Sequence, residues 1–119
     1  MARMIAFIGM LVVALYSSNA DAQQNPDFTL INATGYTIDQ VYASRPRSNS
    51  WGDDIMGKGQ LEDGQYVKIT FGTSACNWDL KVVYDDKDTS VWENVNLCSI
   101  SKLTLHWDRK AGQTRAVPD

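Results

Sequence analysis

The sequence has 119 residues, with 11 Lys and Arg against 14 Asp and Glu, so its formal net charge is −3 at pH 7. This length fits one small domain, and the mildly acidic balance excludes the concentrated basic surface that nucleic-acid binding needs. A single histidine and two cysteines also exclude a His-rich metal site and a multiply cross-linked disulfide scaffold.

Residues 1–22 have the features of a secretory signal peptide. Arg3 supplies a positive charge, an apolar run from Met4 to Tyr16 follows, and Ala20-Asp21-Ala22 forms a small-x-small cleavage site. A retained membrane anchor is disfavoured because the apolar run is short for a membrane span. We therefore expect cleavage after Ala22, a periplasmic or secreted location, and no membrane span after cleavage.

The mature chain opens with two predicted strands. The first covers Phe28 to Asn32, and the second covers Tyr36 to Ser44. Ile38 and Val41 have opposite parity, so a regular strand would place them on opposite faces. A β-bulge near residues 39–40 would bring both side chains to the core side.

Residues 45–59 are predicted to be the longest irregular segment, because Pro46 and the small polar residues disfavour a central strand. Binding residues concentrate on such loops. Arg45 and Arg47 supply guanidinium groups that bind carboxylate or phosphate, and Trp51 supplies an indole that stacks on a sugar or ring. We therefore assign a ligand-binding site to Arg45, Arg47 and Trp51. In the competing interpretation, Trp51 folds back to close one end of the domain.

Two further strands are predicted over residues 65–71 and residues 100–107, where apolar and polar residues alternate. Alternation places six apolar side chains on the core side: Val67, Ile69, Phe71, Leu103, Leu105 and Trp107.

The stretch from Cys76 to Cys98 is predicted to form a central hairpin with a polar turn at residues 85–88. If Lys87 and Asp88 form a two-residue loop, Tyr84 lies opposite Val91, and Val91 faces the core. That register does not bring the two cysteines together. A β-bulge near residues 94–96, or a three-residue loop, would restore the match.

A disulfide between Cys76 and Cys98 is expected, because oxidising compartments favour disulfides in exported chains. It would close a loop of about two dozen residues and stabilise the fold by roughly 3 kcal/mol in the chain-entropy account. Two reduced, buried cysteines are the alternative.

Residues 23–107 are therefore predicted to form one domain. Residues 108–119 lack hydrophobic periodicity and are predicted to be a flexible C-terminal tail. The pattern gives about six to seven short strands and no convincing helix. We therefore predict an all-β fold, a small antiparallel β-sandwich of Ig-like or Greek-key-like topology with one disulfide.

Two weaker patterns concern acid–base chemistry and glycosylation. His106 lies two residues from both Thr104 and Asp108, which is the residue set of a hydrolytic base with its partners. A solvated strand face has the same composition, and we expect no catalytic role. Asn32-Ala33-Thr34 matches the N-glycosylation acceptor, which matters only in a eukaryotic secretory pathway.

The segment Asp85–Ser90 places oxygen ligands at alternate positions and resembles the acidic-acidic-x-x-Ser/Thr-Ser signature of βγ-crystallin calcium sites. The resemblance implies a calcium-stabilised domain. The chain has no clear second copy of the signature and no aromatic-glycine motif before it. A solvated turn is the competing interpretation, and we expect no metal and no cofactor.

Four stretches in order resemble a family of small exported proteins from proteobacteria: DFTLINATGYTI at 27–38, SWGDD at 50–54, CNWDLKVVYD at 76–85 and NLC at 96–98. The resemblance covers nearly all of the mature chain and implies a periplasmic or secreted location. Some members carry an argininosuccinate lyase label. Such lyases are long helical tetramers with sites built from several subunits, and this chain has neither the length nor the helices.

These patterns predict a monomeric, exported, non-catalytic module that binds a protein or small-molecule ligand or associates with the cell envelope. They predict no nucleic-acid partner. The alternatives are a calcium-stabilised domain and, less favoured, a small hydrolase or lyase.

Overall fold

The computed structural model describes residues 25–119, about half of which lie in seven strands. They are β1 (Phe28–Ala33), β2 (Ile38–Ser44), β3 (Tyr66–Ile69), β4 (Asn77–Tyr84), β5 (Thr89–Asn96), β6 (Lys102–Asp108) and β7 (Gln113–Pro118). One turn of 3₁₀ helix, Leu97–Ser99, follows β5. The predicted signal peptide lies outside the described residues.

The strands form two sheets, one with the order β3-β1-β6-β7 and the other with the order β2-β4-β5. Neighbouring strands are antiparallel except β1 and β6, which pair in parallel with Leu30 opposite Leu103. Most of the chain separates β1 from β6, so no tight turn forces them to run in opposite directions. The predicted all-β sandwich is confirmed, with this one parallel pair inside it.

The core lies between the two sheets and receives side chains from both. Its buried members are Phe28, Leu30, Ile38, Val41, Leu61, Ile69, Leu80, Val82, Tyr84, Leu97, Leu103 and Leu105. Ile38 and Val41 are 0% and 1% exposed, and the β2–β4 register shifts between Ile38 and Gln40. The predicted β-bulge at residues 39–40 is thus confirmed, because it lets both apolar side chains reach the core.

The central hairpin has a different register from the two-residue loop considered above. Lys87 adopts a left-handed φ of 78°, and the N–H of Tyr84 donates to the Asp88 carbonyl at 2.8 Å, so the loop has three residues. Trp92 therefore lies opposite Leu80 and packs on the core, whereas Val91 is 47% exposed. The expectation that Val91 faces the core is wrong.

The disulfide between Cys76 and Cys98 is present, and its Cα atoms are 5.1 Å apart. Cys76 precedes β4, and Cys98 lies in the 3₁₀ turn after β5. The N–H of Leu97 donates to the Cys76 carbonyl at 2.8 Å, so the hairpin pairing continues up to the cross-link. The disulfide therefore fastens the open end of the hairpin.

The flexible tail predicted for residues 108–119 is wrong. Asp108 ends β6, and Gln113–Pro118 form β7, which pairs with β6 in antiparallel register along its whole length. Thr114 is buried and Ala116 is half-buried, so the inward face of this edge strand consists of small side chains. Pro118 stands at the strand end, where proline is tolerated.

Asn32 is fully buried at the end of β1, and its amide joins three segments. Its Nδ2 donates to the carbonyl oxygens of Tyr36 and Leu61, both at 2.8 Å. Its Oδ1 accepts from the N–H and the hydroxyl of Thr34, at 3.0 and 2.7 Å. All four hydrogen-bonding positions are used. The folded chain therefore offers no accessible amide at the predicted glycosylation acceptor.

A second polar contact connects the two sheets near the Asn32 cluster, because the ring of Tyr84 packs against that of Tyr36. The Tyr84 hydroxyl shares a hydrogen bond with the hydroxyl of Thr114 in β7, and Ser90 donates to the same Thr114 oxygen at 3.0 Å. Burial raises the pKa of Tyr84 above its ordinary value of 10.0, the Thr114 hydrogen bond opposes this shift, and nearby Asp88 adds to it.

We expect the free energy of unfolding to fall at strongly alkaline pH because of Tyr84. Its pKa is higher in the folded chain than in the unfolded chain, so its contribution is fully present below about pH 10 and is lost as the pH rises through the folded-state pKa. Urea unfolding between pH 8 and pH 11 would measure this, with Tyr84→Phe showing a shallower decline. Equal declines in the two proteins would contradict the assignment.

Candidate ligand-binding site

A cleft of about 500 Å³ lies between the segment that follows β2 and the outer part of β5. We call it the Trp51 cleft. Its lining residues are Ser44, Pro46, Arg47, Ser48, Asn49, Trp51, Asp79, Glu93 and Asn94. Most of these are polar, and the β2-β4-β5 sheet provides a rigid base for the cleft.

One wall of the Trp51 cleft is a tight turn from Arg45 to Ser48. The N–H of Ser48 donates to the Arg45 carbonyl at 3.1 Å, Pro46 occupies the second position, and Arg47 has a φ of 67°. Proline followed by a left-handed residue is the pattern of a type II turn, in which glycine or asparagine is favoured at the position of Arg47. The chain therefore keeps an unfavourable backbone conformation where a guanidinium borders the cleft.

Trp51 lies on the outer face of the β2-β4-β5 sheet and is half-buried. The Lys81 ammonium sits 5.0 Å from the centre of the Trp51 ring and 4.9 Å from that of Tyr42. Lys81 and Tyr42 are directly paired on neighbouring strands. This cation–π stack fixes the indole over the sheet, so the interpretation in which Trp51 closes one end of the sandwich does not hold.

The opposite wall is a β-bulge in β5, where Glu93 and Asn94 together face Asp79 of β4. Asn94 has a φ of 54°, and its N–H donates to Asp79 Oδ1 at 2.7 Å. A bulge was predicted nearby, at residues 94–96. Because a bulge re-aims the side chains beside it, this one brings Glu93 and Asn94 to the cleft.

Of the three residues assigned to ligand binding from the sequence, two line this cleft. Arg47 and Trp51 do so, but Arg45 does not. The Arg45 guanidinium donates to the Asn77 carbonyl and lies 5.3 Å from the centre of the Trp78 ring. Sequence reasoning did not assign Asp79, Glu93 or Asn94, although the predicted bulge was a signal for the last two.

The polar groups of the Trp51 cleft carry both signs of charge. Arg47 is positive, whereas Asp79 and Glu93 are negative, and Asn94 adds an amide that donates and accepts hydrogen bonds. Such a cleft offers donors and acceptors without a dominant electrostatic potential.

The other patterns noted in the sequence lie elsewhere. His106 is half-buried in β6 and pairs with Arg115 of β7. The segment Asp85–Ser90 forms the exposed tip of the β4–β5 hairpin and the start of β5. Within residues 25–119, no three His, Cys, Asp or Glu side chains converge to hold a metal ion.

Comparison of the chain with protein-family models, curated proteins and solved structures found no match. Across the part of the chain that the structure describes, no helix is long and apolar enough to cross a membrane. Residues 25–119 therefore form a disulfide-linked β-sandwich with a polar cleft on one of its two sheets.

Proposed function

We propose that the protein is a non-catalytic binding module that takes a neutral, hydroxylated ligand, such as a short glycan, in the Trp51 cleft. The observation that carries the proposal is a half-buried indole, held by Lys81, at the side of a cleft with mixed charges. Ligand sites combine apolar contact with a few placed polar groups in the same way.

The charges around the cleft argue for a neutral ligand. The positive charges of Arg47 and of Lys81 beside Trp51 are matched by the carboxylates of Asp79 and Glu93. Attraction and repulsion would therefore largely offset each other for an ion of either sign. Hydroxyl groups both donate and accept, so they are compatible with charged side chains of either sign. The indole would contribute apolar contact to the ring of a sugar.

A binding role without catalysis is supported by the surroundings of His106. The hydroxyls of Tyr84, Ser90 and Thr114 bond to one another on the core side of the sheet. His106 follows the buried Leu105 in β6 and therefore faces the other side, where its strand partner is the cationic Arg115. A hydrolytic site needs a base beside a nucleophile and an acid that orients the base.

Export to the periplasm or the medium belongs to the same proposal. It is supported by the Cys76–Cys98 disulfide, by the signal-peptide pattern of residues 1–22, and by the resemblance to small exported proteobacterial proteins. Cell fractionation with an antibody to the chain would test it, and a cytoplasmic protein with free thiols would contradict it.

An array of neutral bacterial and plant oligosaccharides, probed with the mature chain, is expected to show saturable binding to at least one glycan. Trp51→Ala should then weaken binding about tenfold through loss of ring contact. Trp51 lies outside the core, so the thermal midpoint of this variant should stay close to that of the parent. Binding that survives Trp51→Ala, or no binding to any neutral glycan, would overturn the proposal.

The two arginines of the loop provide a matched pair of variants. Arg47→Gly should weaken glycan binding yet preserve or raise stability, because glycine accepts the left-handed φ without strain. Arg45→Ala should leave affinity nearly unchanged, since this guanidinium lies against Trp78 outside the cleft. Equal losses of affinity in the two variants would indicate a general disturbance of the loop instead.

A further inference from the structure

A second concavity, of about 150 Å³, lies at the other end of the β4–β5 hairpin. Three aromatic side chains and three carboxylates line it: Tyr36, Tyr84, Trp107, Asp85, Asp86 and Asp88. The rise of about 3.3 Å per residue along β4 separates Tyr84 from Asp79 of the Trp51 cleft by roughly 17 Å. This concavity is therefore a separate place on the molecule, and we call it the aromatic corner.

The three rings of the aromatic corner stand almost perpendicular to one another. Tyr36 and Tyr84 make an angle of 84° with centres 6.3 Å apart, and Tyr36 and Trp107 make 83° at 6.0 Å. Tyr84 and Trp107 make 87° at 6.5 Å. Three mutually perpendicular planes form a corner, and the cavity borders all three rings. Tyr84 is 4% exposed and forms the floor of this corner, so Tyr36 and Trp107 supply nearly all of its accessible aromatic surface.

The rings are held in place from inside the fold. The Tyr84 hydroxyl is engaged by Thr114 between the sheets, so the polar end of this side chain points away from solvent. Tyr36 is 52% exposed even though it packs against two other rings. A large exposed aromatic side chain in a fixed position provides apolar surface that no part of residues 25–119 covers.

The charge beside the rings is negative. Asp85, Asp86 and Asp88 line the cavity, and Lys87, the one basic residue of this loop, does not. The backbone N–H of Asp88 donates to Asp86 Oδ1 at 3.0 Å, which holds the Asp86 carboxylate against the loop backbone. Their field reaches the rings, because the charges of Asp88 and Asp86 both contribute to the raised pKa of Tyr84.

We propose that the aromatic corner binds a small organic cation with a quaternary ammonium group. Aromatic faces attract weakly hydrated cations through the ring quadrupole, and carboxylates at the rim add charge without requiring direct coordination. A cavity of this volume holds a molecule of benzene size, which suits a trimethylammonium group. A phosphate next to the ammonium would meet the three carboxylates, so the site favours a free cation over a phosphocholine headgroup.

Titration of the ¹⁵N-labelled mature chain with choline chloride, at constant ionic strength, tests the proposal. Saturable chemical-shift changes are expected at the Trp107 indole N–H and at the backbone of Tyr36 and Asp88. The neutral isostere 3,3-dimethylbutanol should bind at least about tenfold more weakly, because it lacks the charge that the rings and carboxylates attract. Vesicles of phosphatidylcholine should give no shifts at these positions.

Substitutions at exposed positions give the matched controls. Tyr36→Leu removes the quadrupole but keeps an apolar side chain, and should weaken choline binding about tenfold, whereas Tyr36→Phe should retain it. The double variant Asp86→Asn, Asp88→Asn should bind several-fold more weakly and lose most of the salt dependence. Each variant should keep the thermal midpoint of the parent to within a few degrees, since these side chains lie outside the core.

Three results would overturn the proposal. They are equal binding of the neutral isostere, choline-induced shifts that persist in Tyr36→Leu, and the absence of saturable shifts up to the solubility limit of choline. Because Trp51 does not line this cavity, failure here would leave the glycan proposal untouched, and failure of the glycan proposal would leave this one untouched.

Discussion

Replacing Asn32 by alanine is expected to lower the free energy of unfolding by about 3 kcal/mol. The N–H of Thr34 would lose its partner. The carbonyls of Tyr36 and Leu61 would each lose one hydrogen bond and keep another, from the Thr34 hydroxyl and the Ile38 N–H respectively. Each buried group left without a hydrogen bond costs about 1–3 kcal/mol. Since small domains have a total stability of about 5–15 kcal/mol, this single change would remove a large share of it.

Urea unfolding followed by tryptophan fluorescence would measure this loss, and two further variants would identify its cause. Asn32→Asp keeps the shape but places a carboxylate against two carbonyl oxygens, so it should be at least as unstable at pH 7. Asn49→Ala, at an exposed position, should change stability by less than about 0.5 kcal/mol. A loss below about 1 kcal/mol in Asn32→Ala would show that the amide is not a structural centre.

Removing the disulfide through the double variant Cys76→Ala, Cys98→Ala is expected to cost about 3 kcal/mol. The cross-link spans 22 residues, and opening it restores the conformational entropy of that loop to the unfolded chain. For a domain of this size, the loss corresponds to a fall of roughly 15 °C in the thermal midpoint. Calorimetry of the parent and the double variant would measure both quantities.

Two comparisons separate this effect from a packing defect. The reduced parent chain should melt close to the double variant, because both lack the covalent closure of the loop. The single variant Cys98→Ala should be similar, although Cys98 is buried and its removal also deletes a small packing contact. If the reduced parent melts within a few degrees of the oxidised chain, the hairpin does not depend on the cross-link.

Much of the fold was predictable from local patterns because alternation along a strand follows directly from backbone geometry. Leu103 and Leu105 are buried as their spacing predicts. The parity conflict between Ile38 and Val41 correctly indicated a bulge. The pairing of the two cysteines was also predictable, because two cysteines in a chain predicted to be exported leave one pairing.

The hairpin register was less predictable, because it depends on the loop. A three-residue loop closed by Lys87 places Asp88, in place of the predicted Val91, opposite Tyr84. The sequence left this loop open as one of two solutions, because lysine is not a typical residue for a left-handed position. The pairing is displaced by three residues, and an odd displacement exchanges the two faces of a strand, so Val91 is exposed.

The edge strand β7 was missed for a related reason. Its inward positions carry Thr114 and Ala116, which are too small and too polar to produce a hydrophobic alternation. The strand is held by backbone pairing to β6 and by the hydrogen bond between Thr114 and Tyr84. Such contacts depend on a partner distant in the chain and leave no local signal.

The amino-acid sequence alone predicted the all-β class, the cross-linked hairpin, and the loop that carries Arg47 and Trp51. These features depend on residues close together in the chain, whose conformations are limited by sterics and turn chemistry. Only the packed sheets decided that Arg45 turns away from the cleft while Asp79 and Glu93 border it. Likewise, Tyr36, Tyr84 and Trp107 meet only because three distant strand ends come together at one edge, and such meetings are determined by long-range pairing.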